Sequence, residues 1–162
     1  IKDKSIPVFP TVGIEQSAIA TAFLSEHTQK EIFVFAENFI NPFFNYFDNG
    51  ALEKCIKRGA KIKILLDELP TDDIGSASKL LNFILNNPSS GGIRQISPNE
   101  KDRITSSFKD NRYCHFVVAD EDKYLLETNS KTKENLCSFH HPKVANRLKK
   151  LFSEVYNISN SL

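Results

Sequence analysis

The chain has 162 residues, which is long enough for one globular domain with its own hydrophobic core. Hydrophobic residues make up 40% and charged residues 25%, a composition that is typical of a folded protein and excludes a disordered one. The formal net charge of +1 excludes an overall field strong enough to draw the chain to nucleic acid or to an anionic membrane.

The apolar runs and the cysteines argue against membrane-spanning, zinc-binding and disulfide-rich proteins. No apolar run approaches the ~20 residues that span a bilayer, so we expect no transmembrane segment. The three cysteines lack the spacing of a zinc site or of a disulfide framework, and they favour a reducing compartment. We therefore expect a cytoplasmic location and neither a metal nor another cofactor. The chain begins at Ile1 rather than at a methionine, from which we expect a piece of a longer protein.

The N-terminal part predicts a loop, a helix and a buried strand. Residues 1–13 contain prolines and a glycine and predict a lead-in segment, which leaves residues 14–162 as a single domain. From residue 14 to about residue 28, apolar residues recur at helical spacing. The apolar run at 31–36 is typical of a strand that helices cover on both faces. Its carboxyl end places Glu37 at a rim of the sheet, where we expect it to contact a substrate.

Two strand–helix–strand units follow. A second helical stripe begins at Ala51 and ends at Gly59, and residues 61–66 predict the next strand. A helix around residues 80–85 then leads to a short strand at 93–96. Strands joined through a helix in this way run parallel in one sheet. The sequence therefore predicts an α/β fold with a mixed β-sheet flanked by helices on both faces.

Two segments allow more than one interpretation. The aromatic-rich stretch at 39–47 is either core packing or an aromatic wall for a ligand. Residues 98–112 are charged and serine-rich with few apolar residues, and they predict a surface loop. This loop leads directly to His115, so it either borders the site of that histidine with cations such as Lys101 or is simply solvated.

Residues 114–130 predict a β-hairpin with a polar rim. The apolar runs at 116–119 and 124–126 are separated by three acidic residues that form the turn. Antiparallel pairing places the beginning of the first strand beside the end of the second. We therefore expect His115 to lie close to Asn129 and Ser130.

The spacing in this hairpin resembles the active-site motif of the phospholipase D superfamily. That motif runs His, any residue, Lys, four residues, Asp, six residues and Gly-Ser. His115, Asp122 and the pair Asn129-Ser130 hold the corresponding places, but Val117 stands where the lysine is expected. Sequence alone leaves open whether Asp120 takes the aspartate's place instead of Asp122.

The resemblance extends beyond the hairpin. Residues 51–67 are similar to the family's segment of helix, Arg-Gly, strand and Asp, and residues 135–156 are similar to its terminal strand and amphipathic helix. A second departure is Thr132, at a position that the family usually gives to asparagine. The order of these segments predicts a phospholipase D-like fold.

The resemblance implies a histidine nucleophile that attacks phosphorus, while the lysine and small polar residues hold the phosphate oxygens. A valine neither positions nor neutralises an oxygen, so we expect a degenerate site that binds a phosphate-containing or anionic ligand without efficient turnover. The catalytic residues, if the site is active, are His115 and Asp122. The expected substrate contacts are Ser130, Asn129, Lys123 and Glu37.

Two alternatives remain open. The first is an active phosphodiesterase, a nuclease or a phospholipase, in which another lysine replaces the missing one. Active members combine two motifs and this chain has one, so this alternative requires a homodimer that pairs two His115 rims. The second is a structural or protein-interaction domain without a ligand. Nucleic acid and lipid headgroups are both open as partners.

Overall fold

The computed structural model describes residues 7–37, 50–68 and 81–161. The aromatic stretch at 39–47 and the beginning of the helix predicted around residue 80 lie outside these ranges. The strands are β1 (Phe9–Val12), β2 (Glu31–Ala36), β3 (Lys61–Leu66), β4 (Gly91–Gln95), β5 (Phe116–Ala119), β6 (Lys123–Asn129), β7 (Glu134–Ser138) and β8 (Asn160–Ser161). The helices are α1 (Gly13–Glu26), α2 (Ala51–Lys57), α3 (Pro98–Ser106) and α4 (Pro142–Ile158), with a helical segment at 81–85 and a 3₁₀ turn at Pro88–Ser90.

The eight strands form one mixed sheet in the order β1-β7-β6-β5-β2-β3-β4-β8. β2, β3 and β4 are parallel, as expected for strands joined through helices, and the other neighbours are antiparallel. β5 and β6 form the predicted hairpin in the middle of the sheet. The mixed sheet of the sequence-based prediction is confirmed.

Helices cover both faces of the sheet because its central strands are apolar on both sides. On β2, Val34 points into a core with α1, α2 and the 81–85 segment, whereas Phe33 and Phe35 point into a second core with α3 and α4. α4 contributes Phe152, which is buried against the ring of Phe33. Among the residues that the structure describes, no helix is long and apolar enough to cross a bilayer.

The prediction of a loop at 98–112 is wrong over Pro98–Ser106, which form α3. Capping interactions at its N-terminus determine where this helix forms. Pro98 occupies its first turn, and the backbone N–H of Ser97 donates a hydrogen bond of 2.6 Å to the carboxylate of Glu100. Ile104 is the one apolar side chain of the helix that is buried in the core, so the segment lacks the apolar stripe by which helices are recognised.

The lead-in segment also differs from the prediction, because residues 9–12 form β1 and pair with β7. Pro10 suggests a loop in the sequence, since proline donates no backbone hydrogen bond. Among the strands that the structure describes, β1 is an edge strand of the sheet, where one side of the backbone has no paired neighbour and a proline is tolerated.

Candidate functional site

The candidate site lies at one rim of the sheet, where several strand ends meet. β2, β3 and β6 end at this rim, and β5 and β7 begin there. A cavity of about 80 Å³ opens between the rim and α1, large enough for on the order of five water molecules. Its polar lining residues are Ser17, Glu37, His115, Glu127, Lys133 and Asn135.

His115 lies between two buried carboxylates. Its Nε2 is 3.1 Å from Oδ2 of Asp67, and its Nδ1 is 3.4 Å from Oε1 of Glu127. Both acidic residues are only 7% exposed, and the imidazole side chain is 16% exposed. The aromatic rings of Phe35 and Tyr113 pack against the imidazole, with ring centroids 5.0 and 5.3 Å away. Contacts at both ring nitrogens and the packing of two aromatic rings therefore hold the imidazole in one orientation.

These surroundings keep the imidazole protonated. Burial by itself lowers the pKa of His115, but the hydrogen bond to Asp67 and the negative charges of Asp67 and Glu127 outweigh burial and raise the pKa to about 9. At neutral pH both ring nitrogens therefore carry a proton. An imidazolium donates hydrogen bonds but has no free lone pair with which to attack an electrophile.

Glu127 connects His115 to Lys133. Its two carboxylate oxygens lie 3.4 Å from Nδ1 of His115 and 3.4 Å from Nζ of Lys133. Nζ of Lys133 donates a long hydrogen bond to Oε2, and the charge of the carboxylate acts on both cations. Oε1 has no hydrogen-bond donor among the residues that the structure describes. Burial alone raises the pKa of Glu127, but His115 and Lys133 outweigh it and hold the pKa below its usual range.

On the other side of the imidazole, Asp67 interacts with two further side chains. The hydroxyl of Tyr113 donates a hydrogen bond to Oδ1, and Nζ of Lys101 lies 3.8 Å from Oδ2. Burial and the neighbouring Asp67 raise the pKa of Tyr113, so the phenol stays protonated and remains a donor. Lys101 belongs to α3, so the segment that was predicted as a loop does border this site.

Amide and hydroxyl groups complete the opposite wall of the cavity. The side-chain amide of Asn135 donates to Oγ of Ser17 at 2.7 Å and to the backbone oxygen of Lys133 at 2.9 Å. The backbone N–H of Gly13 donates to the same Lys133 oxygen at 3.1 Å. The first turn of α1 and the β6–β7 turn are therefore fastened to each other beside the cavity.

Position 117, where the motif expects a lysine, belongs to the apolar floor of the cavity. Val117 is only 4% exposed and pairs across the sheet with Val34 on one side and Leu125 on the other. All three residues line the cavity and belong to the core on the α1 face. β5 therefore contributes no cation at this position.

The structure does not bring all of the predicted site residues together. Asp122 and Lys123 lie at the far end of the hairpin, four strand residues or about 13 Å along β5 from His115. There Nζ of Lys123 is 2.9 Å from Asp122 and 3.2 Å from Asp120, and Nδ1 of His140 is 3.0 Å from Asp122. These residues form a separate ion-pair cluster at the turn.

Asp120 has a structural role in that turn. Its carboxylate accepts hydrogen bonds from the backbone N–H groups of Gln29, Lys30 and Glu31, the shortest of them 2.8 Å long. These bonds outweigh the effect of burial and lower the pKa of Asp120. Within this chain, neither Asp120 nor Asp122 contacts the imidazole of His115, which lies instead beside Asp67 and Glu127.

The remaining predicted contacts divide between the cavity and the surface. Glu37 lines the cavity beside His115. Asn129 and Ser130 lie near the same rim but are exposed, and Oδ1 of Asn129 accepts the backbone N–H of Lys131 at 3.1 Å. The Asn129 side chain therefore shapes the β6–β7 turn instead of facing His115.

The predicted site residues did not include Asp67, Tyr113, Glu127 and Lys133, although Asp67 ends the segment that resembles the family. The hairpin register contained a signal for Glu127, whose backbone N–H donates to the backbone oxygen of His115 at 3.0 Å. Asp67 directly follows β3, whose end meets the beginning of β5 at the rim through β2. The residues that the structure describes contain no cluster of three or more potential metal ligands. The three cysteines are buried and unpaired.

No protein-family model matches the sequence, and no curated protein is significantly similar to it. Solved structures are similar in fold. The archaeal chromatin protein TrmBL2, described with a novel mode of DNA binding, superposes with a TM-score of 0.65 and 18% identity over 100% of this chain, which spans 57% of TrmBL2.

Two bacterial proteins are similar over their whole length. Nuc from Salmonella typhimurium, a phospholipase D family member, has a TM-score of 0.65 and 17% identity, with 96% of this chain and 99% of Nuc covered. NucT from Helicobacter pylori has a TM-score of 0.69 and 9% identity, with 98% and 100% covered. The chain has the phospholipase D-like fold, which confirms the fold predicted from the sequence. Identities this low establish the fold alone.

Proposed function

We propose that this phospholipase D-like domain binds a phosphate-containing or other anionic ligand in the cavity beside His115 and does not turn it over efficiently. The observation that carries the proposal is the position of the His115 ring between Asp67 and Glu127, 3.1 and 3.4 Å from their oxygens. The two carboxylates keep the ring cationic. A cationic ring attracts a phosphate and is a poor nucleophile.

The charge on His115 lowers the expected reactivity in a way that can be estimated. With a pKa of about 9, only about 1% of the imidazole is neutral at pH 7. Attack on phosphorus through that fraction is slower by a factor of about 100. Val117 supplies no cation for the developing charge, which removes a further factor on the order of 10². Together the two effects reduce turnover on the order of 10⁴-fold.

The groups that would hold the ligand differ from those expected from the motif. The imidazolium of His115 and the ammonium of Lys133 are the cationic donors at the cavity. The acidic residues Glu37 and Glu127 also line the cavity. This mixture favours a ligand that carries hydroxyl or amine donors in addition to a phosphate, because the acceptors would repel a bare polyanion.

Calorimetric titration with inorganic phosphate and with glycerol 3-phosphate tests the proposal. We expect binding by the wild-type protein, tighter for the ester, and loss of binding in His115→Ala. Incubation with bis-(p-nitrophenyl) phosphate and with single-stranded DNA should show no turnover that His115→Ala abolishes. If nucleotides, lipid headgroups and phosphate all fail to raise the melting temperature, the domain is instead structural or protein-binding.

The second candidate is an active phosphodiesterase. It is favoured by the likeness to Nuc, a phospholipase D family member that this chain covers over 99% of its length. In this case a homodimer pairs two His115 rims, and turnover of a phosphodiester disappears in His115→Ala while sedimentation shows a dimer. The likeness to a chromatin protein makes DNA the first nucleic acid to test as a ligand. For either function we propose a cytoplasmic location, since the three thiols are unpaired.

A further inference from the structure

We infer that Lys133, on the turn between β6 and β7, supplies the cation for the ligand's phosphate that position 117 lacks. The inference rests on the proposed function and names a binding residue that the motif does not contain. The first supporting observation is the location of Lys133. Lys133 and Val117 line the same cavity, but the valine lies in its apolar floor and the lysine reaches it from the rim.

The ammonium group is held beside His115 by a shared carboxylate. Oε2 of Glu127 is 3.4 Å from Nζ of Lys133, and Oε1 of the same carboxylate is 3.4 Å from the His115 ring. The Lys133 side chain is 27% exposed, so it is partly shielded from solvent and its charge acts more strongly than that of a surface lysine. Two cations thus face one cavity and share one carboxylate between them.

The backbone of Lys133 is fixed in a conformation that this residue type rarely adopts. Its φ is +53°, in the left-handed region where glycine and asparagine are favoured. The carbonyl oxygen is held there by the backbone of Gly13 and by the Asn135 amide, 3.1 and 2.9 Å away. The backbone of the turn therefore fixes the point from which the lysine side chain reaches the cavity.

The ammonium group of Lys133 also has N–H donors that Glu127 does not use. It carries three N–H groups, and within the ranges that the structure describes Glu127 is the acidic residue with which it pairs. At least one further donor is therefore free for a phosphate oxygen in the cavity. Without this lysine a phosphate would meet the carboxylates of Glu127 and Glu37 with only the imidazolium to offset them. Removal of the lysine should therefore weaken phosphate binding strongly.

The test is calorimetric titration of inorganic phosphate and pyrophosphate into wild-type protein and four variants at pH 7 and low salt. Lys133→Ala and Lys133→Gly should weaken binding at least 10-fold, the loss expected for a charge-assisted hydrogen bond. Lys133→Arg should retain part of the affinity. Lys131→Ala is the matched control, because Lys131 is an exposed lysine on the same turn, and it should bind within twofold of wild type.

Folding of the variants is checked by their melting temperatures. Glycine suits the left-handed backbone, so Lys133→Gly should melt above Lys133→Ala while both lose phosphate affinity. Unchanged affinity in the folded glycine variant, or an equal loss in Lys131→Ala, overturns the inference and leaves the proposed function standing. If the wild-type protein binds neither phosphate nor pyrophosphate, the proposed function fails and the inference fails with it.

Discussion

Raising the pH from 6 to 9 should remove about 3 kcal/mol of the free energy of unfolding through His115 alone. The ring has a pKa of about 9 in the folded protein and 6.5 in the unfolded chain. The folded state therefore binds the proton more tightly. Its contribution to stability is fully present below pH 6.5 and is lost as the pH rises through 9.

The magnitude follows from the two pKa values. A difference of 2.5 units corresponds to about 3 kcal/mol at 1.36 kcal/mol per unit, and most of it is lost within the interval from pH 6 to pH 9. The physical origin is the pair of buried carboxylates, Asp67 and Glu127, on either side of the ring. Because the imidazole is 16% exposed, solvent screens this interaction only in part.

Urea denaturation followed by far-ultraviolet circular dichroism measures the effect, since the chain contains no tryptophan for fluorescence. The experiment compares wild type with His115→Gln at pH 6 and pH 9. The variant keeps the three buried cysteines, whose thiol pKa values burial raises, so their pH dependence cancels in the comparison. The exposed His27, replaced by Gln, is the matched control and should keep the wild-type pH dependence.

Wild type should lose about 3 kcal/mol more than His115→Gln between the two pH values. At pH 6 the variant should be much the less stable protein, because Asp67 and Glu127 then lack their shared cation. The reasoning is refuted if the two proteins lose stability in parallel. It is also refuted if NMR titration of the His115 ring gives a midpoint below about 7.5, within one unit of the unfolded value.

Three further predictions concern the scaffold and use the same denaturation assay. Asp120→Ala should lower the free energy of unfolding by about 2–4 kcal/mol, because three backbone N–H groups lose their acceptor. It should leave phosphate binding unchanged. Asp122→Ala removes the acceptor of none of these N–H groups and should cost less stability. Gly91→Ala should prevent β4 from pairing, because the added Cβ would lie 1.5 Å from the Ile62 backbone oxygen. Gly59→Ala meets no neighbouring atom and should cost only the strain of its φ of +96°, about 1–2 kcal/mol. Ile104→Ala should cost about 2–5 kcal/mol, and a value under about 1 kcal/mol would contradict the anchoring of α3 by this side chain.

The elements that could be predicted are those whose signals are local. The apolar run at 31–36 and the helical stripe after Ala51 repeat over a few residues, and their periods identify a strand and a helix without knowledge of their partners. α3 was missed because capping and one buried isoleucine define it rather than an apolar stripe. β1 was missed because its stability comes from pairing with β7, more than 120 residues away along the chain.

The residues of the candidate site also divide into those that local patterns predict and those that depend on the tertiary structure. The hairpin spacing was sufficient to propose His115, and the end of β2 was sufficient to propose Glu37. Asn129 and Ser130 were proposed from the strand ends and from the Gly-Ser place of the motif, but the register of β6 shifts between Glu127 and Asn129, which simple strand alternation does not predict. Asp122 was proposed from the motif and Lys123 as a replacement for the missing cation, and both lie at the other end of the hairpin.

By itself, the sequence determined the α/β architecture, the hairpin and the absence of a lysine at position 117, because each depends on residue type and short-range spacing. Only the tertiary structure decided the charge of the site. Asp67 lies 48 residues from His115 in the sequence, whereas Glu127 and Lys133 lie on β6 and on the turn after it. Their effect on His115 depends on distances of 3 to 4 Å and on burial. Electrostatic interactions are strong only at such separations in a shielded environment, and no pattern along the chain encodes them.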